Sequence, residues 1–522
     1  MKVDKRLGKK LGGVYRYGDK NCFAVPISLE AILEIEEIFG EQWCEKLEPL
    51  KEKLLNERKT AQNIKYAENV KKIDERLRPY QQVDVEFLAR RTNAGVFNEQ
   101  RTGKTPTTLI TVRDDDKIFI VCPAGLKLNW KNEIKIWLNR DDVYVIKGTP
   151  EQRKQIYTNW CAKKQGILVV SYETLRTDLT WLEKLLKTGF TLIADEVHRV
   201  RNYQTKQSKA LYRLRKFAKK VYALTGTPAV NHPSDVFGIL KLLRPDKFTS
   251  YWSFVDRYFE TKAGYWQDKV VLSLKKDRKE EFSNLLADIS VNRKRKDVMK
   301  WIPKVTRHTI PLEFDKNQEK YYNKAVQEML LGDEKDIPNA LALLTRLRQI
   351  CSDPQLLGIE AESPKTKFIK EFLNDNNESV IIFSSFTSYL ISLNRMLDNS
   401  VLLTGQQTQA EKDANIKAFQ SGKARVLLAN IKAGGVGFTL DKADTTIFLD
   451  RSYNPVDNDQ AADRFIPTRQ NKRYGAKQII DLVINGSIEN NINKLLEKKQ
   501  NIISYVNDYS KKGLVKLIKN EL

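Results

Sequence analysis

Short apolar runs alternate with amphipathic stretches in two separate series along this chain, and that alternation restricts its fold more than any other feature. The first series occupies residues 95–97, 118–121, 143–146, 167–170, 192–194 and 221–224; the second occupies 380–384, 400–403, 425–429, 445–450 and 478–483. Continuous Val, Ile, Leu and Phe suit strands covered on both faces, and amphipathic helices between them supply the cover. The pattern predicts an α/β fold class: two lobes, each a parallel sheet flanked by helices. Such sheets gather ligands at the carboxyl ends of their strands. The polar residues that end each run are therefore the first candidates for chemistry.

The remaining segments fill out this frame. At 522 residues the chain exceeds what one core sustains. Residues 1–70 read as a small α+β module, with two short strands around Gly18-Asp19 and a helix started by Ser28 and closed by Gly40. Residues 45–75 are charged and helix-prone. Residues 231–310 lose the strand signal. Their aromatics (Phe248, Tyr251, Trp252, Phe254, Tyr258, Phe259) read as a helical core, and Arg293-Lys294-Arg295-Lys296 reads as a phosphate contact or plain basic surface. Residues 315–357 are helical, and the last 35 or so read as one helix with a charged tail. The expected domains are 1–70, a first lobe with a helical insertion over 71–310, a helical segment with the second lobe over 311–484, and a helical end over 485–522.

Composition narrows the partners. Ninety Lys and Arg against 66 Asp and Glu leave a net charge of +24, which calls for a polyanion, nucleic acid first. Five cysteines without a C-x-x-C pair and three histidines exclude zinc-finger and disulfide frameworks and favour a reducing compartment. No apolar run reaches the roughly 18 residues that span a bilayer, and no signal core follows Met1-Lys2-Val3-Asp4. A soluble, intracellular protein is expected.

The chemistry concentrates in two stretches. Leu192-Ile193-Ala194-Asp195-Glu196-Val197-His198 delivers two adjacent carboxylates to the end of a predicted strand. Upstream, Thr102-Gly103-Lys104-Thr105 lies between a strand and a helix, where a nest of backbone N–H groups receives phosphates. Lys104 would neutralise the β- and γ-phosphates and Thr105 would ligate Mg²⁺. Asn98 stands where the first glycine of a complete G-x-x-x-x-G-K-T loop belongs. Asp195 would hold the same Mg²⁺, and Glu196 would orient and deprotonate the attacking water. The shortage of His disfavours a dinuclear metal hydrolase. The expectation is an Mg²⁺-dependent ATP site.

Over residues 76–505 the chain resembles the SNF2-type branch of superfamily 2 helicases and translocases. Leu77-Arg78-Pro79-Tyr80-Gln81 resembles the opening motif, implying that Gln81 reads adenine. Val121-Cys122-Pro123 with Asn129-Trp130 and Glu133 resembles motif Ia, and Ser171-Tyr172-Glu173 resembles motif Ib. Asp195-Glu196-Val197-His198 resembles a DEAH-type motif II, and Thr225-Gly226-Thr227-Pro228 with Asn231 resembles motif III. Leu347-Arg348-Gln349-Ile350-Cys351 with Pro354 matches a segment peculiar to this branch. Ile381-Ile382-Phe383-Ser384 is similar to motif IV, and Ala433-Gly434-Gly435-Val436-Gly437 with Asp450 and Asn454-Pro455 to motif V and its extension. Gln460-Ala461 with Asp463-Arg464 is similar to motif VI. Arg101-Thr102 replaces the usual Gly-Leu, Thr439 replaces Asn, and Pro467 stands where a second arginine is expected.

The resemblance implies two RecA-like lobes that hydrolyse Mg-ATP to move on duplex or branched DNA. It implies nucleotide contacts from Gln81, Arg101, Thr102, Gly103, Lys104 and Thr105, with Arg464 as the arginine finger and Arg469 as a second. DNA contacts fall on Asn129, Trp130, Ser171, Tyr172, Ser384, Lys432 and Gly434, and coupling on His198, Thr225, Thr227 and Gln460. Phe23-Ala24-Val25-Pro26 faintly resembles the accessory module of fork-remodelling annealing helicases, which engages branched DNA; a packing or partner-docking domain is the equal alternative. The other readings are a strand-separating DNA or RNA helicase and an ATP-controlled DNA-binding scaffold with little turnover.

Overall fold

A computed structural model describes residues 14–16, 22–24, 29–39, 47–65, 72–187, 189–229, 232–263, 269–331, 337–432, 439–467 and 475–497. The chain divides into two compact units, Met1–Met299 and Lys300–Leu522.

The first unit begins with an antiparallel pair, β1 (Val14–Arg16) and β2 (Cys22–Ala24). Its main sheet has seven parallel strands: β3 (Asn93–Val96), β4 (Lys117–Cys122), β5 (Val143–Val145), β6 (Gly166–Ser171), β7 (Phe190–Asp195), β8 (Ala218–Leu224) and β11 (Ser290–Val291). Their order is β11-β3-β8-β7-β4-β6-β5. Successive side chains point to opposite faces, and both faces are covered. Phe119, Val121, Leu168, Val170 and Leu192 enter one core, while Ile118, Ile120, Ile167, Val169 and Ile193 enter the other. That two-sided burial is why the strands are apolar throughout.

The region read as strand-free holds strands after all: β9 (Phe259–Lys262), β10 (Val270–Leu274) and β11. The β9–β10 pair is antiparallel and largely exposed, and β11 is two residues long, so none carries a buried apolar run. The aromatics do build a helical core: Phe248, Phe254, Tyr258 and Phe259 are buried around the helix Tyr251–Tyr258, whereas Trp252 is exposed.

The helices Leu29–Phe39 and Glu48–Lys65 dock on this same insertion. Glu34 accepts from Arg257 at 3.0 Å and pairs with Arg278. Arg257 is 6% exposed and also holds Glu281 at 2.7 Å. Arg58 pairs with Asp288 at 2.6 Å. These two helices thus pack on the first unit. Ser28 and Gly40, read as helix start and stop, lie outside the described residues.

The second unit carries six parallel strands: β12 (Val305–Leu312), β13 (Val380–Ser384), β14 (Ser400–Leu403), β15 (Val426–Asn430), β16 (Thr445–Phe448) and β17 (Lys477–Ile484), ordered β12-β17-β16-β13-β15-β14. Again alternate residues feed two cores, Ile381, Phe383 and Leu427 on one side and Val380, Ile382 and Leu428 on the other. The strand β12 was not expected. It is an edge strand with exposed Arg307, His308 and Thr309, which hides its signal, and it moves the lobe boundary from 310 to 299/300. The helix Ile488–Glu497 buries Ile488, Ile492, Leu495 and Leu496 beside Leu344 and Leu347, so it belongs to this unit. Residues 498–522 lie outside the described set.

Ion pairs cross-link this second core. Lys365, fully buried, holds Glu489 at 2.7 and 2.8 Å, and Glu489 accepts the Ile484 N–H at 3.0 Å. Breaking one side of a buried pair strands the other charge and costs about 3–5 kcal/mol. Lys365→Met should destabilise the second unit by that amount in guanidinium unfolding followed by circular dichroism. The paired Lys365→Met/Glu489→Leu variant should recover most of the loss.

Candidate active site

The sheet order sets β3, β8 and β7 side by side, and each continues at its carboxyl end into a polar loop. The phosphate loop follows β3, the Thr225-Gly226-Thr227 segment follows β8, and Asp195-Glu196 ends β7. Three stretches far apart in sequence thus share the carboxyl end of one sheet, as parallel topology requires.

The phosphate loop is anchored at the position of its missing glycine. Asn98 is fully buried; its amide donates to Asp84 at 2.8 Å and its carbonyl accepts the Arg293 N–H at 2.8 Å. Arg293 returns to Asp84 at 2.8 Å. Glu99 accepts the Arg295 N–H at 2.7 Å. The start of the basic run, Arg293 and Arg295, therefore buttresses the loop. Further on, Arg101 adopts φ +68° and Gly103 φ +83°. Arg101 bears the strain of a left-handed non-glycine, of order 1 kcal/mol or more. At Gly103 an added Cβ would lie 2.2 Å from the Gln81 amide nitrogen, so a side chain there would both strain the backbone and displace Gln81.

Gln81 is buried, donates to the Thr102 and Gly103 carbonyls at 3.2 and 3.3 Å, and accepts the Arg78 N–H at 2.8 Å. It braces the loop from behind. Tyr80 adds a bond to the Thr102 carbonyl at 2.6 Å. Thr102 is buried, and its hydroxyl bonds to the Glu99 carbonyl at 2.6 Å. The helix Lys104–Thr111 starts at Gly103 with no side-chain cap, which leaves its first N–H groups as anion receptors. Thr105 is half-buried in its first turn. Lys104 Nζ donates to the Asn98 and Glu99 carbonyls at 3.0 and 3.3 Å. Gly226 presses against this loop: a Cβ there would lie 3.3 Å from the Gln100 nitrogen and 3.6 Å from Lys104 Nζ.

Asp195 sits where β7 leaves the core and is 8% exposed. Its Oδ2 accepts the Trp130 indole N–H at 2.9 Å, its Oδ1 accepts the Glu196 N–H at 2.9 Å, and its carbonyl accepts the Tyr172 hydroxyl at 2.8 Å. Burial and the neighbouring Glu196 charge push its carboxyl up to about 6, against the pull of the Trp130 bond and Lys104. Glu196 takes φ +50° and lies 3.2 Å from His198 Nδ1. That nitrogen is also 3.2 Å from the Thr225 hydroxyl, which accepts the Thr227 N–H at 3.1 Å. A polar chain thus runs from Glu196 through His198 to Thr225 and Thr227. The Thr227 hydroxyl oxygen is buried without a hydrogen-bond partner.

The expected DNA contacts need correction. Trp130 and Tyr172 are each 1% exposed and turn inward onto Asp195. Ser171 is buried and caps the helix Tyr172–Leu182 through Thr174 N–H at 3.2 Å. Ser384 is fully buried with its hydroxyl on Asp450. None of these four side chains presents itself to a duplex. Asn129 is half-buried, Lys432 is exposed, and Gly434 lies outside the described residues, as do Asn231 and Arg469. In the second unit, Arg464 occupies a short turn at Asp463–Phe465, and its carbonyl accepts the Leu440 N–H at 2.8 Å. Gln460 is half-buried on the helix Pro455–Ala462. Arg348, 4% exposed, bonds Asp450 at 3.0 Å, and Asp450 also accepts the Ser385 N–H at 2.9 Å. Sequence reading missed Asp84, Arg293 and the Trp130–Asp195 bond. The signal for the last was present: a buried indole is a donor that needs an acceptor.

Residues 53–356 match the family model described as the SNF2-related domain, and residues 364–466 match the helicase conserved C-terminal domain. An uncharacterized ATP-dependent helicase of Mycoplasma genitalium is 27% identical over 456 residues, covering 82% of this chain and 42% of that protein. A human DNA annealing helicase and endonuclease is 24% identical over 448 residues, covering 82% of this chain and 40% of that protein. The chain thus spans less than half the length of these relatives. A Sulfolobus solfataricus SWI2/SNF2 ATPase core solved with dsDNA aligns at TM-score 0.40 and 22% identity, over 87% of this chain and 97% of that one.

The raised Asp195 carboxyl has a measurable consequence. Its folded value, about 6, exceeds the ordinary 3.8, so the metal-free fold binds the proton more tightly than the unfolded chain. Stability is therefore lost as pH rises through that interval. Metal-free Asp195→Asn should melt above the parent protein at pH 7.5 by scanning fluorimetry, with the gap closing as pH falls through about 6 towards 4. A gap independent of pH would refute the assignment.

Proposed function

The chain belongs to the SNF2-related family, and on that premise we propose that it is a DNA-dependent ATPase that translocates on duplex or branched DNA and remodels forks or branches. The observation that supports this most is the gathering of the phosphate loop, Thr225-Gly226-Thr227 and Asp195-Glu196 at the carboxyl end of one sheet. The loop N–H groups and Lys104 bind the phosphates. Thr105 and Asp195 are the oxygen donors suited to Mg²⁺, which takes one or two protein ligands together with nucleotide phosphates. Their fit rests on the buried Asp195, whose carboxyl is raised by burial and by the neighbouring Glu196 charge. Bound Mg²⁺ neutralises charge on the β- and γ-phosphates.

Glu196 orients the attacking water and takes its proton, while His198 lies between Glu196 and Thr225, 3.2 Å from each. Arg464 is assigned to the charge that develops on the transferred phosphoryl group, and Arg469 to a secondary role. DNA is favoured as the polyanion by the net charge of +24 and by the annealing-helicase relative. Phosphate contact by Lys and Arg makes such binding sequence-independent and salt-sensitive.

ATPase assays with single-stranded, duplex, forked and four-way DNA and with RNA test this reading. Duplex or forked DNA should stimulate most, and strongest stimulation by RNA would overturn it. Glu196→Gln should lower turnover by roughly 10² or more while ATP binding persists. Arg464→Ala should cost about 10³, well beyond the loss in Arg469→Ala. Equal losses would reverse that ranking.

A further inference from the structure

Two segments that resemble DNA-gripping motifs carry their largest side chains inward, to the same residue. In the helix Lys127–Leu138, Leu128 is exposed and Asn129 half-buried, while Trp130 on the same turn is 1% exposed and donates to Asp195 Oδ2 at 2.9 Å. In the helix Tyr172–Leu182, Glu173 is exposed and reaches Arg199 at 2.8 Å, while Tyr172 donates to the Asp195 carbonyl at 2.8 Å. The two helices thus fix different atoms of one carboxylate residue, Trp130 its side chain and Tyr172 its backbone.

We infer that Trp130 and Tyr172 are positioning residues for Asp195, holding its carboxylate in the single orientation that presents it to a divalent cation. The inference rests on the reading of Asp195 as a metal ligand. An ionised carboxylate is acceptor-only, with about four lone-pair sites. The Trp130 indole occupies a site on Oδ2 and the Glu196 N–H one on Oδ1, which leaves a defined remainder. An indole N–H has no acceptor capacity, so Trp130 cannot compete for the cation. It sets the rotation of the carboxylate and compensates part of its burial. The Tyr172 hydroxyl acts on the Asp195 backbone carbonyl, where the chain passes from the strand end into left-handed Glu196. Partners of this kind behind a metal ligand typically change metal affinity or activity by 10- to 100-fold.

The test uses the full chain, with Mn²⁺ and ADP as the probe. In the parent protein, Mn²⁺–ADP should broaden one indole N–H signal in a spectrum of ¹⁵N-labelled tryptophan, and that signal should be missing in Trp130→Phe. No broadened indole would overturn the metal assignment of Asp195 and the inference with it. Trp130→Phe and Tyr172→Phe should each weaken Mn²⁺ binding in the presence of ADP, measured by electron paramagnetic resonance, by roughly tenfold. Duplex affinity at fixed salt should stay unchanged. A broadened Trp130 signal in the parent with unaltered Mn²⁺ affinity in both variants would overturn the positioning role alone. So would weakened duplex binding with intact Mn²⁺ binding, because Trp130 would then serve DNA. Should Trp130→Phe lose its cooperative melt, Tyr172→Phe, which removes one hydroxyl, carries the comparison.

Discussion

A carboxylate at the end of a buried strand must be compensated, and Asp195 imposes that requirement on the first unit. Burying an unpaired charge is prohibitive, so its surroundings must supply donors. Trp130, the Glu196 N–H and the Lys104 charge supply part of that compensation, and Tyr172 secures the backbone beside it. Each comes from a different element of the sheet or its covering helices. The compensation is incomplete, which is why burial and the Glu196 charge push the carboxyl up to about 6. An incompletely satisfied site of this kind is where a divalent cation gains most from binding.

The phosphate loop meets a different requirement with the same economy. A loop that exposes its own N–H groups has few internal bonds to hold its shape. Asn98 makes up the deficit by joining Asp84 and the Arg293 backbone, while Gln81 and Tyr80 brace the carbonyls behind. Arg101 keeps a left-handed conformation that glycine would adopt without strain. The second unit secures its own strand ends through Lys365 with Glu489 and Arg348 with Asp450. The Arg348 link joins the branch-specific helical segment to the start of the loop after β13.

Much of this was legible in the residues. The apolar runs located eleven of the parallel strands to within a few residues, nine of them interior strands whose burial on both faces leaves an unbroken signal. The strands β9, β10, β11 and β12 left none, being short, edge or half-exposed. Lys104, Asp195 and Glu196 stood out because their residue types and order announce their chemistry. The side chains of Trp130, Ser171, Tyr172 and Ser384 turn inward, which the residues did not announce, since a motif names a residue without stating which way its side chain faces.

The sequence alone determined the two parallel-sheet lobes, the phosphate loop and the carboxylate pair, because periodicity and local motif are properties of neighbouring residues. Only the tertiary structure decided that Asn98 anchors the loop through Asp84 and Arg293, and that Trp130 belongs to Asp195. Those bonds join residues 65 or more positions apart, or cross from one covering helix to a strand end. Their partners are chosen by which strands lie adjacent in the sheet, and no local pattern encodes that choice.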